Sequence, residues 1–227
     1  MSGIWAVVPV KALAGAKQRL APRLAPGQRQ ALAAAMIEDV LDALAAVPRL
    51  AGILVVTVDP LATSLARRYG ARVVTDGARE GHTGAVSAAA CILAREGRPG
   101  MITLPGDVPG ISVAEVTAVL AAHRPAPAFT IVPAHDDLGS NAIVCSPPDA
   151  VPLRFGDNSF TPHLDAARRC GIEPVIVRQP GIAMDIDDPA DLAAFLRISP
   201  HAPSRTLTFL QQSGIAQDLM AADRESP

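Results

Sequence analysis

Short, almost wholly apolar runs alternate along this chain with longer stretches in which apolar residues recur every three or four positions. The runs at 4–10, 53–58, 71–75, 101–104, 128–133, 142–145 and 174–177 have the length and composition of strands, most of them buried on both faces. Leu32, Met36, Val40, Leu41 and Leu44 fall at helical spacing, so 28–47 reads as a packed helix. Helices are also predicted over 61–69, 84–94, 112–123 and 160–170, and Ser112 with Glu115 forms a capping box at the start of 112–123. Strand and helix in alternation imply a parallel sheet with right-handed crossovers. The runs at 128–133 and 142–145 follow one another without a helix, which predicts a small antiparallel excursion in the second half. The expected fold is therefore α/β, a mostly parallel sheet with helices on both faces.

With 227 residues, 49% of them hydrophobic, and a mean hydropathy of +0.27, the chain is long enough for one substantial core. We expect one domain over 1–198. The segment 199–227 carries an amphipathic piece (Leu207, Phe209, Leu210, Ile215, Leu219) that packs on the domain or forms a homodimer contact, then a polar tail. A net charge of −2 and a pI of about 6.2 give no reason to invoke nucleic acid or a membrane surface as partner. An aromatic content of 3% argues against a base-stacking platform as well. Cys91, Cys145 and Cys170 are widely spaced and read as buried or incidental thiols of a reducing compartment, not as a disulfide frame or a zinc site. The first positive charge comes only at Lys11, the reverse of a secretory signal, and no apolar stretch approaches the ~20 residues of a membrane span. The expected location is the cytoplasm.

Candidate chemistry lies where the apolar runs break. The run at 101–104 ends at Pro105-Gly106, which places Asp107 beyond the carboxyl end of a strand, where ligands bind in open α/β sheets; a plain turn aspartate is the other reading. Lys11, Lys17, Arg19, Arg23 and Arg29 follow the first strand with no acidic residue among them. They form either a solvated basic loop or a cluster that offsets the charge of nucleotide phosphates. Neither the P-loop pattern nor GxGxxG is present. The polar loop 76–83 enters a helix and can offer backbone N–H groups, and His82 within it reads as a solvent-exposed loop histidine. Gly139-Ser140-Asn141 offers a hydroxyl and an amide at a strand start, and Ser159 opens the helix containing His163, as N-cap, phosphate contact or both. Asp188-Pro189 caps a following helix, with Asp191 in its first turn. Asp185 and Asp187 flank Ile186, and in an extended segment they share one side, able to give two oxygens to one divalent cation.

Taken in order, Pro9-Val10-Lys11 with Ala16-Lys17-Gln18-Arg19-Leu20, Leu104-Pro105-Gly106-Asp107-Val108-Pro109, Gly139-Ser140-Asn141, Phe155-Gly156 with Ser159 and His163, and Asp185-Ile186-Asp187 with Pro189, Asp191 and Leu192 resemble the CofC/FbiD family. That family comprises guanylyltransferases that activate a small phospho-acid in biosynthesis of the deazaflavin coenzyme F-420. The likeness spans 4–196 and implies the Rossmann-like, glycosyltransferase-A type of fold found in nucleotide-sugar transferases. It implies that Lys11, Lys17 and Arg19 bind the triphosphate of GTP and that Lys17 and Asp107 act in catalysis. By the same resemblance Asp107, Asp185 and Asp187 hold Mg2+. Ser140, Asn141, Gly156 and Ser159 hold the phospho-acid, which is 2-phospho-L-lactate, phosphoenolpyruvate or 3-phospho-D-glycerate. Gly81 and Thr83 fall in a nucleotide-binding loop, Thr83 standing where the family usually carries asparagine. The product passes to a downstream transferase.

The implied reaction suits these residue types. A phosphate monoester has its second pKa near 6, so the acceptor is already ionised at neutral pH and no general base is required. Positioning and charge neutralisation remain to be supplied. The alternatives are another nucleotidyltransferase of this fold, cytidylyltransferase-like, and a non-catalytic nucleotide-binding sensor.

Overall fold

The computed structural model describes residues 3–156, 158–198 and 204–217. Strands β1 (Ile4–Pro9), β2 (Leu50–Val56), β3 (Arg72–Val74), β4 (Met101–Thr103), β5 (Ala128–Pro133), β6 (Ser140–Ser146) and β7 (Val175–Ile176) form one sheet in the order β3-β2-β1-β4-β6-β5-β7. β1 pairs in parallel with β2 and β4, and β5 with β7, whereas β6 runs antiparallel to both β4 and β5. The expected antiparallel excursion is thus the single strand β6, inserted into the sheet between β4 and β5.

Alternation along the strands splits the interior into two cores. Val8, Ile102 and Val144 point to one face, against α1 (Pro26–Ala45), α2 (Pro60–Arg68) and α4 (Val113–Ala122). Val7, Leu54, Met101 and Ile143 point to the other, against α3 (Gly81–Arg95) and α5 (Phe160–Arg169). The short α6 (Pro180–Ala183) precedes α7 (Pro189–Ile198) and α8 (Arg205–Gln212), and these last two add Leu192, Phe195, Leu207 and Leu210 to the first core. Each such fully buried aliphatic side chain contributes about 1.5–3 kcal/mol.

Local signals act as read at several helix ends. Glu115 N donates to Ser112 Oγ at 3.2 Å and Ser112 N to Glu115 Oε2 at 3.1 Å, which closes the capping box. Two helices begin earlier than periodicity alone predicts. Pro26 supplies a preset φ for the first turn of α1. Gly81, at φ +76°, turns the chain into α3, so His82 and Thr83 belong to a helical turn and not to a loop. α8 lays its apolar side on α1, where Asp39 accepts from Arg205 N at 2.7 Å and Thr206 N at 3.0 Å. The polar tail and the link 199–203 lie outside the described residues. Among the described residues no helix is long and apolar enough to cross a membrane, and all three cysteines are free thiols.

Candidate active site

Backbone pairing explains why acidic residues far apart in the chain converge. Ile186 is fully buried, and its N–H donates to Asp107 O at 3.0 Å. Its neighbours Asp185 and Asp187 therefore emerge on the opposite side of the strand-like segment, beside Asp107. The segment is braced from both ends. Asp191 Oδ2 accepts from Asp187 N (2.9 Å) and Asp188 N (3.0 Å), while Asp188 Oδ1 accepts from Ala190 N (2.8 Å) and Asp191 N (3.1 Å). Upstream, Glu115 Oε1 accepts from Gly181 N at 2.6 Å, and Gly181 lies so close to Gly110 that a Cβ there would sit 2.1 Å from Gly110 O. Only glycine allows α6 to dock against the turn that carries Asp107.

The basic segment after β1 is an ordered structure. It forms two 3₁₀ turns, Leu13–Gly15 and Gln18–Leu20, anchored by buried Leu13, Leu20 and Leu24. Leu13 N donates to Asp59 Oδ2 at 2.8 Å. Lys17 adopts left-handed backbone (φ 53°, ψ 48°), a strained choice for a residue with a side chain. That conformation sends its ammonium inward, to 2.6 Å from Asp107 Oδ2 and 2.8 Å from Asp187 Oδ1. Burial pushes the Lys17 pKa down, but Asp107 and Asp187 outweigh it and hold the group above the usual lysine value. Arg19 reaches Asp187 at 3.9 Å and stays largely exposed, as does Lys11.

Arg29 departs from the expectation of a loop cation. It lies on α1 with 8% exposure, donating from Nε to Ala16 O (3.3 Å) and from Nη1 to Leu24 O (2.8 Å). Its guanidinium holds the segment bearing Lys17 and Arg19 in shape, without a phosphate contact. The sequence did carry a signal, since Arg29 lines up with Leu32, Met36 and Val40 on the buried stripe.

Asp185 and Asp187 are shifted in opposite directions. Burial raises the Asp185 pKa, and the nearby Asp107 and Asp187 charges add to that effect. Burial acts on Asp187 too, yet Lys17, Arg19 and Lys11 together bring it below the ordinary value. Among the described residues no three His, Cys, Asp or Glu side chains stand close enough to form a ready-made metal site. The ammonium of Lys17 fills the space between Asp107 and Asp187. The donor set nevertheless suits a hard divalent cation, because it consists of carboxylate oxygens and places Asp185 in the negative field of Asp107 and Asp187, which the Asn141 amide offsets only in part.

Two recesses meet at these residues. One, of about 440 Å³, lies along the basic turns and is lined by Lys11, Leu13, Gly15, Ala16, Lys17 and Gln18. The other, of about 540 Å³, is lined by Ser140, Asn141, Gly156, Ser159 and Asp185. Arg19, His82, Pro105, Asp107 and Asp187 line both. The residues picked from the sequence are thereby brought together, with three refinements. Asn141 gives its amide hydrogens to Ile182 O (3.1 Å), Ala183 O (2.9 Å) and Asp185 Oδ1 (3.0 Å), so it fixes Asp185 in place. Thr83 Oγ1 accepts from Phe155 N (3.0 Å) and donates to Phe155 O (3.3 Å), tying α3 to the loop that bears Gly156. In that turn of α3, His82 lines the recesses, whereas Gly81 and Thr83 do not. His82 is half-buried against the Phe155 ring, and desolvation, offset only in part by Asp107, lowers its pKa to about 4. No partner in the sequence marked it, because Phe155 lies far along the chain.

Gly156 has φ +151°, a conformation that favours glycine even though a Cβ there would meet nothing within 4 Å. Ser159 is not a side-chain N-cap; its hydroxyl points to Ser140 Oγ at 3.5 Å. His163, which the sequence placed merely on a helix, is 1% exposed and sits 3.0 Å from Ser140 Oγ through Nδ1.

The family model described as "Guanylyl transferase CofC like" matches residues 4–222. A phosphoenolpyruvate guanylyltransferase of Conexibacter woesei is 37% identical over 191 residues, 84% of this chain and 86% of that protein. A 3-phospho-D-glycerate guanylyltransferase of Colwellia psychrerythraea is 32% identical over 193 residues, 85% and 91% of the two chains. The crystal structure of a candidate nucleotide-diphospho-sugar transferase from Desulfovibrio desulfuricans G20 superposes with a TM-score of 0.75 at 19% identity, covering 95% of this chain and 97% of that one. With a family match over nearly its whole length and relatives of this identity and coverage, the chain belongs to the CofC-like guanylyl transferases.

Proposed function

We propose that the protein transfers GMP from GTP to the phosphate of a small phospho-acid, with release of pyrophosphate, in the biosynthesis of coenzyme F-420. The observation that carries this reading is the meeting of two unlike recesses at Asp107, Asp187, Arg19 and His82, one running along the basic turns and one in which Ser140, Asn141 and Ser159 stand beside the carboxylates of Asp185, Asp188 and Asp191. An acceptor phosphate oxygen attacks the α-phosphorus of GTP. A new oxygen–phosphorus bond forms, the bond to the bridging oxygen breaks, and its electron pair leaves with pyrophosphate. The nucleophile is ionised near neutral pH, its second pKa being about 6, so His82 with a pKa of about 4 has no proton to remove. Lys17, Arg19 and Lys11 offset the charge that accumulates on the leaving group. Mg2+ held by Asp107, Asp185 and Asp187 would polarise the phosphoryl oxygens and template the in-line geometry. Lys17, now bridging two of those acids, is the group best placed to shift toward phosphate.

The acceptor is phosphoenolpyruvate, 3-phospho-D-glycerate or 2-phospho-L-lactate, the first two being the acids named for the relatives above. We place the enzyme in the cytoplasm, passing its product to a downstream transferase. Pyrophosphate release tests the reading, with each of the three acids offered alongside GTP, CTP or ATP and Mg2+. Release with GTP and one of the acids is expected. Release with CTP but not GTP, or with no acid at all, would overturn it.

A further inference from the structure

His163 faces from α5 toward the loop that carries Gly156, and both ring nitrogens are engaged. Its Nε2 is 3.0 Å from Arg154 N, a backbone amide that can only donate. Nε2 must therefore present its lone pair, and a neutral ring then carries its proton on Nδ1. Nδ1 in turn is 3.0 Å from Ser140 Oγ, which accepts. The Ser159 hydroxyl donates to the same oxygen at 3.5 Å. Ser140 Oγ therefore receives a hydrogen from His163 and keeps its own to give. Ser140 lines the recess assigned to the acceptor.

We propose that His163 is a positioning residue: held as the Nδ1–H tautomer, it orients Ser140 so that the serine hydroxyl donates its hydrogen to an anionic oxygen of the phospho-acid. This rests on the proposed function for the identity of the ligand, though not for the tautomer. Desolvation, with a smaller push from His82, lowers the His163 pKa to about 4, which keeps the ring neutral at working pH. The Phe155 ring, edge-on with centroids 5.0 Å apart, fixes the imidazole plane.

Nitrogen NMR of the protein with labelled histidine tests the tautomer, the His163 signals being identified by their loss in His163→Asn. The proposal expects a protonated Nδ1 and a bare Nε2, unchanged from about pH 8 down to about pH 5.5. A proton on Nε2, or titration near pH 6.5, overturns it. Kinetics test the consequence. His163→Leu and Ser140→Ala should each raise the acceptor KM about tenfold and leave the GTP KM unchanged. His163→Asn, whose amide can stand in for Nδ1–H, should recover most of that loss. In the double variant His163→Leu should add nothing to Ser140→Ala. Additive effects, or equal damage to the GTP KM, would mean that His163 serves structure alone and would overturn the proposal. A wild-type enzyme that turns over no phospho-acid would instead defeat the functional reading, and the ring measurement would still decide the tautomer.

Discussion

The two recesses meet at the same residues but are built on opposite principles. On the side of β1 the groups carry formal charge: Lys17 is buried against two carboxylates, while Arg19, 3.9 Å from Asp187, and Lys11 are exposed. On the side of β6, polar groups held by buried neighbours stand among carboxylates, with His163 behind Ser140 and the Asn141 amide holding the carboxylate of Asp185. The first arrangement suits a triphosphate, whose charge must be offset as pyrophosphate leaves. The second suits a small acceptor that has to be held without being neutralised, since its phosphate is the nucleophile. The sheet reflects the same division, because the reversed strand β6 is the element that starts with Ser140 and Asn141.

Two variants carry the largest expected effects, of which Lys17→Met should lower kcat at least ~100-fold as read by pyrophosphate release. Stability should fall by only on the order of 1 kcal/mol, because Asp107 and Asp187 keep access to water. Retention of kcat would erase the distinction between the two sides. Asp107→Asn should likewise abolish magnesium-dependent turnover while leaving the thermal unfolding curve in place; a variant at the wild-type rate would remove this residue from the reaction. Arg29→Met leaves Ala16 O and Leu24 O without their donor, so the GTP KM should rise about tenfold while the acceptor KM stays unchanged. Equal changes in both constants would show that the brace is not specific to the charged side.

A pH series sharpens the β6 side. His82 and His163 have folded pKa values of about 4, against about 6.5 for an unfolded histidine, so the unfolded chain binds protons that the folded one refuses. Stability should be full above about pH 6.5 and decline as the pH falls toward 4, with a slope of up to about 1.4 kcal/mol per pH unit for each histidine. His163→Asn should flatten that decline in chemical denaturation. The smallest effect is expected at Asp39→Ala, which releases the first turn of α8 and should cost about 1–2 kcal/mol with kcat preserved.

How much of this was legible in the sequence follows the same divide. Apolar runs and helical spacing gave the strands, the helices and the reversed strand, because burial on one or two faces writes itself into period and length. On the charged side the candidates Lys17, Arg19, Asp107, Asp185 and Asp187 stood out by formal charge, while a solvated loop and a turn aspartate stayed open as readings until the resemblance gave them roles. The β6 side was reached mainly through resemblance, and its working parts were missed. The roles of His82 and His163 depend on Phe155 and on Arg154 N. Such contacts are decided by tertiary packing and leave no pattern of hydropathy or charge.

The most direct test of the central claim follows the phosphorus itself, using GTP labelled on its α-phosphorus, phosphoenolpyruvate or 3-phospho-D-glycerate, and Mg2+. The label should appear in an adduct with the acid, with unlabelled pyrophosphate released in equal amount, and Asp107→Asn should form no adduct. Label that stays in GTP with every acid, or that reaches the acid equally fast in Asp107→Asn, would contradict the account.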